Sequence, residues 1–346
     1  MSIERGGGLA FLEVSGAPRD VGAALGRFGR RIVHEHLKHT CAWATVVAHR
    51  GDDHLRAMAA AVEARFPRHF AELAGLAEGL ELSFDEVFAW NCRGDIEAAT
   101  PDGCTTVQIA GRRRIVAHNE DGDPGLRGHC AIVHAAPIGG IAFTAFAYPG
   151  SLPGHAFAAN DAGLVQTVNN IRALEIGDGL PRMVLTRALL DCRTLDEAVT
   201  LLRGTPRAGA FHLTLAKTGD RRLLGVEFTG RACSVREITA PGAHANHLVH
   251  PATAATLQIV TVSSADRQRR ADALLAAGAG DPLAILRDTA GPGLPIRRDD
   301  PRDPDDENTL ATAVFTLEGE RLDWRVYDAV DEPARFHIRE RLVPAA

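Results

Sequence analysis

The feature that most constrains this chain is an abrupt change of texture at Asp102-Gly103-Cys104. Before it, from Pro18 to about Asp95, apolar residues recur at helical spacing: Val21, Leu25, Phe28 and Ile32, then Met58, Val62 and Phe66. After it come short β-like runs separated by turn residues, at 105–110, 114–117, 131–135 and 141–147. The chain therefore passes from helices to sheet at one point. No internal repeat or low-complexity tract long enough to be a linker marks another boundary. That this division coincides with a glycine followed by a nucleophilic side chain suggests that the boundary is itself functional.

Other elements can be placed from local signals. Ser83 with Glu86 forms a capping box leading into Val87, Phe88 and Trp90, and Thr194 with Glu197 opens a second helix running to Leu202. A further helix is expected near 181–191 and another over 265–276. Runs 211–216 and 223–228, joined through Thr218, Gly219 and Asp220, predict a hairpin, as do 312–317 and 322–327 around Glu318-Gly319-Glu320. Residues 291–308, dense in proline and aspartate, are expected to form an exposed, solvated loop.

Composition narrows the class. Hydrophobic residues at 45% and charged residues at 24% are ordinary for a folded globular enzyme, and 346 residues suffice for a large core. A net charge of -6 provides no basic field for phosphate backbones, so nucleic acid is not an expected partner. Met1 to Gly16 lacks a basic start and a long apolar run, and no apolar stretch is long enough to span a bilayer, which predicts a cytoplasmic location without membrane attachment. The six cysteines lie far apart without a Cys-x-x-Cys pair and read as reduced thiols, five of them in the core.

Cys104 stands apart from the other five. Glycine best tolerates an unusual backbone at the preceding carbonyl, and a Cys104 thiolate can attack that carbonyl. The acyl bond then shifts from nitrogen to sulfur, and hydrolysis of the thioester leaves Cys104 as a new N-terminus. A free α-amine titrates at about 7.7 to 8.0 and a thiol at about 8.5, so near neutrality the amine can take the thiol proton. Such a nucleophile carries its own base.

Asp102-Gly103-Cys104-Thr105-Thr106 resembles the cleavage motif of the acyl-coenzyme A:6-aminopenicillanic acid acyltransferase-like family of autoproteolytic cysteine hydrolases and acyltransferases. Further segments are similar in order. They are the Asn-x-Asp element in His118-Asn119-Glu120-Asp121, the run Tyr148-Pro149-Gly150 with Gly154, and Asn160-Asp161-Ala162-Gly163-Leu164. His244-Ala245-Asn246-His247 and Ser263-Ser264-Ala265-Asp266-Arg267 with Arg270 complete the set. The resemblance implies an α+β chain with the four-layer αββα fold of N-terminal-nucleophile hydrolases. It also implies a helical fragment 1–103 and a core fragment 104–346, held together as one structural unit.

It further implies roles for single residues. Asp121 would pair with the α-ammonium of Cys104, unless it is only a turn aspartate. Asn246 would donate its amide to an oxyanion, unless it serves a turn. Arg267 would hold the nucleophile region or a substrate carboxylate, unless it is one more surface arginine. Asn160 is a weaker candidate for the oxyanion or the substrate, since its segment is equally a turn.

Alternative chemistries find less support. His244, His247 and His250 are spaced so that neither a helix nor a strand brings all three to one face, so no metal is expected. Gly6-Gly7-Gly8 lacks the lysine of a phosphate loop and reads as a flexible stretch, and no Gly-x-Ser-x-Gly elbow occurs. The expected protein is an autoproteolytic cysteine amidohydrolase or acyltransferase, working through an acyl-enzyme on Cys104 without a cofactor. Its partners would be a small amide or acyl-thioester substrate and its own N-terminal fragment, with self-association left open. An acyltransferase using an acyl-thioester donor and an amine acceptor, and a non-catalytic binding protein that keeps the fold, are the alternatives.

Overall fold

The structure is a computed structural model that describes residues 2–4, 8–96, 103–300, 302–330 and 333–341; Gly6, Gly7 and Asp102 lie outside the described residues. In chain order the elements begin with β1 (Ser2–Glu4), β2 (Ala10–Gly16), α1 (Pro18–Glu35), α2 (Cys41–Val47), α3 (Asp53–Arg65), α4 (Pro67–Leu80), α5 (Phe84–Asn91) and α6 (Arg93–Ile96). Then come β3 (Gly103–Ile109), β4 (Arg113–Gly122), β5 (Ala131–Pro137), β6 (Phe143–Ala147), β7 (Phe157–Asn160), β8 (Leu164–Ala173), α7 (Arg182–Leu189) and α8 (Leu195–Gly204). The remainder is β9 (Ala210–Lys217), β10 (Leu223–Phe228), β11 (Cys233–Glu237), β12 (Gly242–His244), β13 (Gln258–Ile259), α9 (Val262–Ala276), α10 (Pro282–Leu286), β14 (Asn308–Glu318), β15 (Arg321–Tyr327) and β16 (Phe336–Arg341).

Two sheets form. One runs in the order β1-β2-β5-β6-β7-β8-β9-β10-β11, with β13 added beside β8, and the other β12-β3-β4-β14-β15-β16. Strand alternation sends successive side chains to opposite faces and so builds three apolar layers. Leu12, Val133, Ala145 and Leu213 of the first sheet pack on Val21, Leu73, Leu76 and Leu185 of the helices. Between the sheets, Ile132, Phe146 and Phe157 meet Val116, Phe315 and Trp324. Val107 and Ala117, on the far face of the second sheet, lie against Ala271 of α9 and Ile285 and Leu286 of α10. The order is helix, sheet, sheet, helix, the αββα arrangement expected.

The capping box at Ser83 forms as read, with Ser83 Oγ accepting from Glu86 N, whereas of a second capping box expected at Thr194 only the cap forms, Oγ1 accepting from Glu197 N while the Glu197 side chain takes Arg193 N. The hairpins pair Leu223 with Ala216 and Leu322 with Leu317. Three expectations need correction. The segment before Cys104 is not purely helical, because β2 lies parallel to β5 inside the large sheet, where a seven-residue strand of mixed polarity gives little periodic signal. Cys41 is exposed and Cys233 only half-buried, so fewer cysteines are core residues than expected.

Thirdly, 291–308 is only partly the exposed loop expected: 291–293, 299–300, 302, 304 and 306 are exposed, but Arg298, Asp303 and Glu307 are buried, where Arg298 pairs with Asp303, Asp305 and Glu307 and offsets part of the cost of burying their charge. No helix among the described residues is long and apolar enough to cross a membrane.

The turn between β6 and β7 holds His155 in a fixed tautomer. Its Nδ1–H donates to Leu152 O at 2.8 Å, and Nε2 accepts from Arg93 Nη2 at 3.3 Å. Burial, then Arg93, pushes its pKa down to about 3. The unfolded ring titrates near 6.5, so the folded protein's advantage is complete above pH 6.5 and is lost as pH falls towards 3. His155→Gln is expected to flatten the acid limb of the stability curve by about 1.4 kcal/mol per pH unit in that window. Urea unfolding at pH 7, 5 and 4 reads the slope; an unchanged slope would refute the assignment.

Candidate active site

The hairpin β3–β4 sets the site. Its register places Cys104 opposite Glu120 and Gly103 opposite Asp121. Alternation then divides these residues between two faces. Cys104, Thr106 and Gln108 point into the space between the sheets, where Gln108 Nε2 donates to Thr214 Oγ1 at 2.6 Å and Thr106 Oγ1 lies 3.5 Å from Thr167 Oγ1. Thr105, Asn119 and Asp121 point towards α9 and α10, and Asn119 Nδ2 donates to Leu286 O.

β12 runs antiparallel to β3, with His244 opposite Thr106, so the chain just beyond it delivers Asn246 beside Cys104. Asn246 Oδ1 accepts from Cys104 N at 2.9 Å and from Arg267 Nη2 at 2.7 Å, while its Nδ2 donates to Asn170 O at 3.0 Å. Two donors face the oxygen, which fixes the amide orientation. One of the two amide hydrogens is thus engaged by Asn170 O, and Asn246 meets the Cys104 backbone as an acceptor.

Arg267 sits one turn into α9, whose cap is Thr261 accepting from Ser264 N at 3.1 Å. Far from being a surface arginine, it is 1% exposed. Its guanidinium donates to Cys104 O, to Thr105 Oγ1 at 2.9 Å, to Asn246 Oδ1 and to Ser263 Oγ at 3.0 Å. The adjacent Ser264 Oγ accepts from Asn246 N at 2.9 Å. The planar fork thus locks both peptide atoms flanking the Cys104 side chain into one frame.

Asp121 is fully buried on the α9 face, across from Gly103. Thr309 Oγ1 donates to its Oδ1 at 2.6 Å, and its Oδ2 has no hydrogen-bond partner among the described residues. Burial raises its pKa above the usual carboxylate range, against the opposing pull of Arg267. Beside it Glu307, bound by Arg298 and Arg172, projects over Gly103, and burial raises its carboxyl to about 7 in spite of Arg298. A Cβ on Gly103 would lie 2.4 Å from Glu307 Oε2.

Asn160 is not brought to this site. Its Nδ2 donates to Leu190 O and Cys192 O and its Oδ1 accepts from Leu164 N, which ties the β7–β8 turn to the end of α7.

The sequence reading passed over the residues nearest the sulfur. Glu120 Oε2 lies 3.9 Å from Cys104 Sγ and 2.9 Å from His118 Nε2, and Tyr148 Oη donates to Glu120 Oε1 at 2.9 Å. A signal existed: a hairpin centred near Arg112 pairs 104 with 120, and moving one residue on to Asp121 changes face. Burial pushes His118 down to about 3, so its ring is neutral. Cys104 Sγ, His118 Nε2 and a Glu120 oxygen fall within 4.8 Å of one another. The 2.9 Å nitrogen–oxygen separation is a hydrogen-bond length, shorter than the roughly 3.3 Å ligand edge of a tetrahedral zinc site with bonds near 2.0 Å. We therefore read a hydrogen-bonded chain. His244, His247 and His250 each bond to separate partners, Glu227, Ser264 and Ser234.

Four αββα layers, with a cysteine opening a central strand where helical sequence ends, define the N-terminal-nucleophile hydrolase fold. The model of the acyl-coenzyme A:6-aminopenicillanic acid acyl-transferase family matches residues 109–329, and the chain belongs to that family. The match starts beyond Cys104 and does not include it. The chain is 29% identical over 184 residues to the beta-alanyl-dopamine/carcinine hydrolase of Drosophila melanogaster, covering 46% of this chain and 48% of that protein. It thus spans about half the length of this curated relative. Two solved structures of conjugated bile acid hydrolase from Clostridium perfringens, both of single-residue variants, are 11% and 10% identical with TM-scores of 0.41 and 0.39. They cover 69% and 68% of this chain, and 97% and 96% of those chains.

Proposed function

We propose that the chain cleaves itself between Gly103 and Cys104 and then hydrolyses a small amide, or transfers its acyl group, through an acyl-enzyme on Cys104. The observation that carries this reading is the clamp on the two peptide units that flank the Cys104 side chain: Cys104 N on Asn246, Cys104 O on Arg267, and Gly103 beneath Glu307. Such fixation of a reacting bond is worth several kcal/mol of orientation entropy. Cleavage would create an α-ammonium near Asp121 Oδ2, an acceptor without a partner among the described residues. β2 and α1 would then hold the N-terminal fragment in place through the large sheet. Free cysteines throughout fit a reducing compartment, the cytoplasm.

Tyr148, which reaches Glu120 on one side, also lines a cavity of about 540 Å³ with Trp90, Leu37, Asp123 and Asp306. Arg93, His36 and His39 share this lining with the two carboxylates and His36 already bonds to Asp123, so its charge is mixed, and it is the relative's name that makes beta-alanyl-dopamine and carcinine the first substrates to try. Intact mass of the purified protein tests cleavage; product analysis with and without a competing amine separates hydrolysis from transfer. A chain that stays whole, with no turnover of such amides, would sink the proposal.

Gly103→Ala is expected to slow self-cleavage by at least about tenfold. The added methyl meets a Glu307 carboxylate that Arg298 and Arg172 hold in place, so the scissile unit must shift. Time-resolved intact mass reads the rate, and cleavage of this variant as fast as wild type would show that the contact is unimportant.

A further inference from the structure

We infer that Cys104, Glu120 and His118 form a proton relay that activates the thiol for self-cleavage, before the α-amine exists. The inference rests on the proposed cleavage at Gly103–Cys104. In the uncut chain the Cys104 nitrogen is a peptide amide, has no basicity, and donates its hydrogen to Asn246 Oδ1. The first nucleophilic attack therefore needs a base other than the one that serves the mature enzyme. At 3% exposure, bulk water is a poor source for it.

Register supplies the first member. Glu120 is the cross-strand partner of Cys104, on the same face, with Oε2 at 3.9 Å from Sγ; this is long for a thiol donor, in a contact that a reaction can tighten. The same oxygen lies 2.9 Å from His118 Nε2, so Glu120 stands between the sulfur and the imidazole. Its other oxygen is held by Tyr148 Oη at 2.9 Å.

Counting hydrogens shows which way the chain is wired. Thr106 Oγ1 has a single hydrogen and two close partners, Asn169 Oδ1 at 2.8 Å and His118 Nδ1 at 2.9 Å. Asn169 is oriented by its Nδ2, which donates to His244 O at 3.1 Å, so its Oδ1 must accept from Thr106. His118 Nδ1 must then carry the hydrogen that reaches Thr106. In a neutral ring this leaves Nε2 as an acceptor, and the short contact to Glu120 requires the proton to lie on the carboxyl oxygen. The resting chain is Cys104 S–H, Glu120 O–H, His118 Nε2, an uncharged wire ending in an unprotonated ring nitrogen.

Activation moves two protons by one place. The thiol proton passes to Glu120 Oε2 as the carboxyl proton passes to His118 Nε2, giving thiolate and imidazolium with Glu120 still protonated. The sulfur then forms a bond to the Gly103 carbonyl carbon. As the Gly103–Cys104 C–N bond breaks, the leaving nitrogen takes a proton from Glu120, which is refilled from His118. The products are a Gly103 thioester, a free α-amine and a neutral histidine. One water hydrolyses the thioester, returning the thiol and a Gly103 carboxylate, and the proton released is taken up by the free α-amine.

Full-length wild type, Cys104→Ala and Glu120→Gln test this by intact mass over time, with hydroxylamine added to half of each sample to capture any thioester. Glutamine keeps partners for Tyr148 and His118 but cannot pass a proton; a thermal melt checks that it folds. Wild type should be cut, Cys104→Ala should stay whole, and Glu120→Gln should cleave at least about 10²-fold more slowly with or without hydroxylamine. His118→Gln, the second variant, should behave alike, and Glu120→Asp, which keeps a carboxyl, should cleave at an intermediate rate. Glu120→Gln cut at the wild-type rate, or opened rapidly by hydroxylamine, overturns the relay alone. A wild-type chain that stays uncut overturns the cleavage reading and the relay with it.

Discussion

Cys104→Ala is expected to leave one uncut chain of 36.9 kDa and to lower amide turnover by at least about 10⁴-fold. The variant removes the attacking atom of both reactions proposed for the site, self-cleavage and acyl transfer, so the two losses should appear together. The size of the effect follows from covalent catalysis: without the nucleophile only orientation and electrostatic stabilisation remain. Misfolding is not the expected cause. Cys104 is buried, but deleting one sulfur costs on the order of 1 kcal/mol, small against the stability of a domain with three apolar layers. Intact mass and steady-state kinetics on the same preparation decide the matter, with a thermal melt as control. Undiminished turnover in this variant would return Cys104 to the status of a core residue.

Arg267→Ala has the second largest expected effect, on both stability and activity. The guanidinium is almost fully buried and bonds to Cys104 O, Thr105, Asn246 and Ser263, and it also lowers the pKa of Asp121 and Glu307. Truncation strands those acceptors and removes a positive charge from beside two buried carboxyls, at a cost of about 3 to 5 kcal/mol. It also frees the peptide unit that carries the nucleophile, and a misplacement of about 1 Å can cost roughly 10²-fold in rate. Arg267→Lys separates the two contributions. It keeps the charge and loses the fork, so it should recover much of the stability measured by urea unfolding and little of the rate. Equal recovery of both would mean that charge alone is what the site requires.

The contrast between these two residues shows what was legible in the sequence. Cys104 could be found because its signal is local: a Gly-Cys step where helical period gives way to strand period. The hairpins and caps were legible for the same reason, since each depends on residues within a few positions of one another. Arg267 could be nominated only through family resemblance, and its burial could not be read at all. Thirty-eight lysines and arginines look alike in sequence, and nothing local separates a surface arginine from one enclosed by α9, β3 and the chain beyond β12.

The same limit explains the errors. Residues 291–308 read as solvated throughout because their charges were counted singly, whereas Arg298 draws Asp303 and Glu307 into a buried cluster that presses Glu307 against Gly103. β2 escaped notice because its strand character comes from its neighbour β5, more than a hundred residues away. Asn246 was read for its amide donor, and nothing local showed that two donors converge on its oxygen as well. Asp121 faces Gly103 across the strand pair, on the side of the proposed α-amine, while the pleat brings Glu120 and His118, which the sequence reading passed over, to the sulfur.

By itself, then, the sequence determined the division at Gly103–Cys104 and the alternation of helix and strand, and nominated Cys104 for the proposed chemistry, because short-range period and residue chemistry carry that information. The tertiary structure alone decided which acid faces the thiol, which atoms hold the backbone on either side of Cys104 and which charges are buried. Those outcomes depend on strand register and on the meeting of segments far apart in the chain, where a shift of one residue exchanges one face of the sheet for the other.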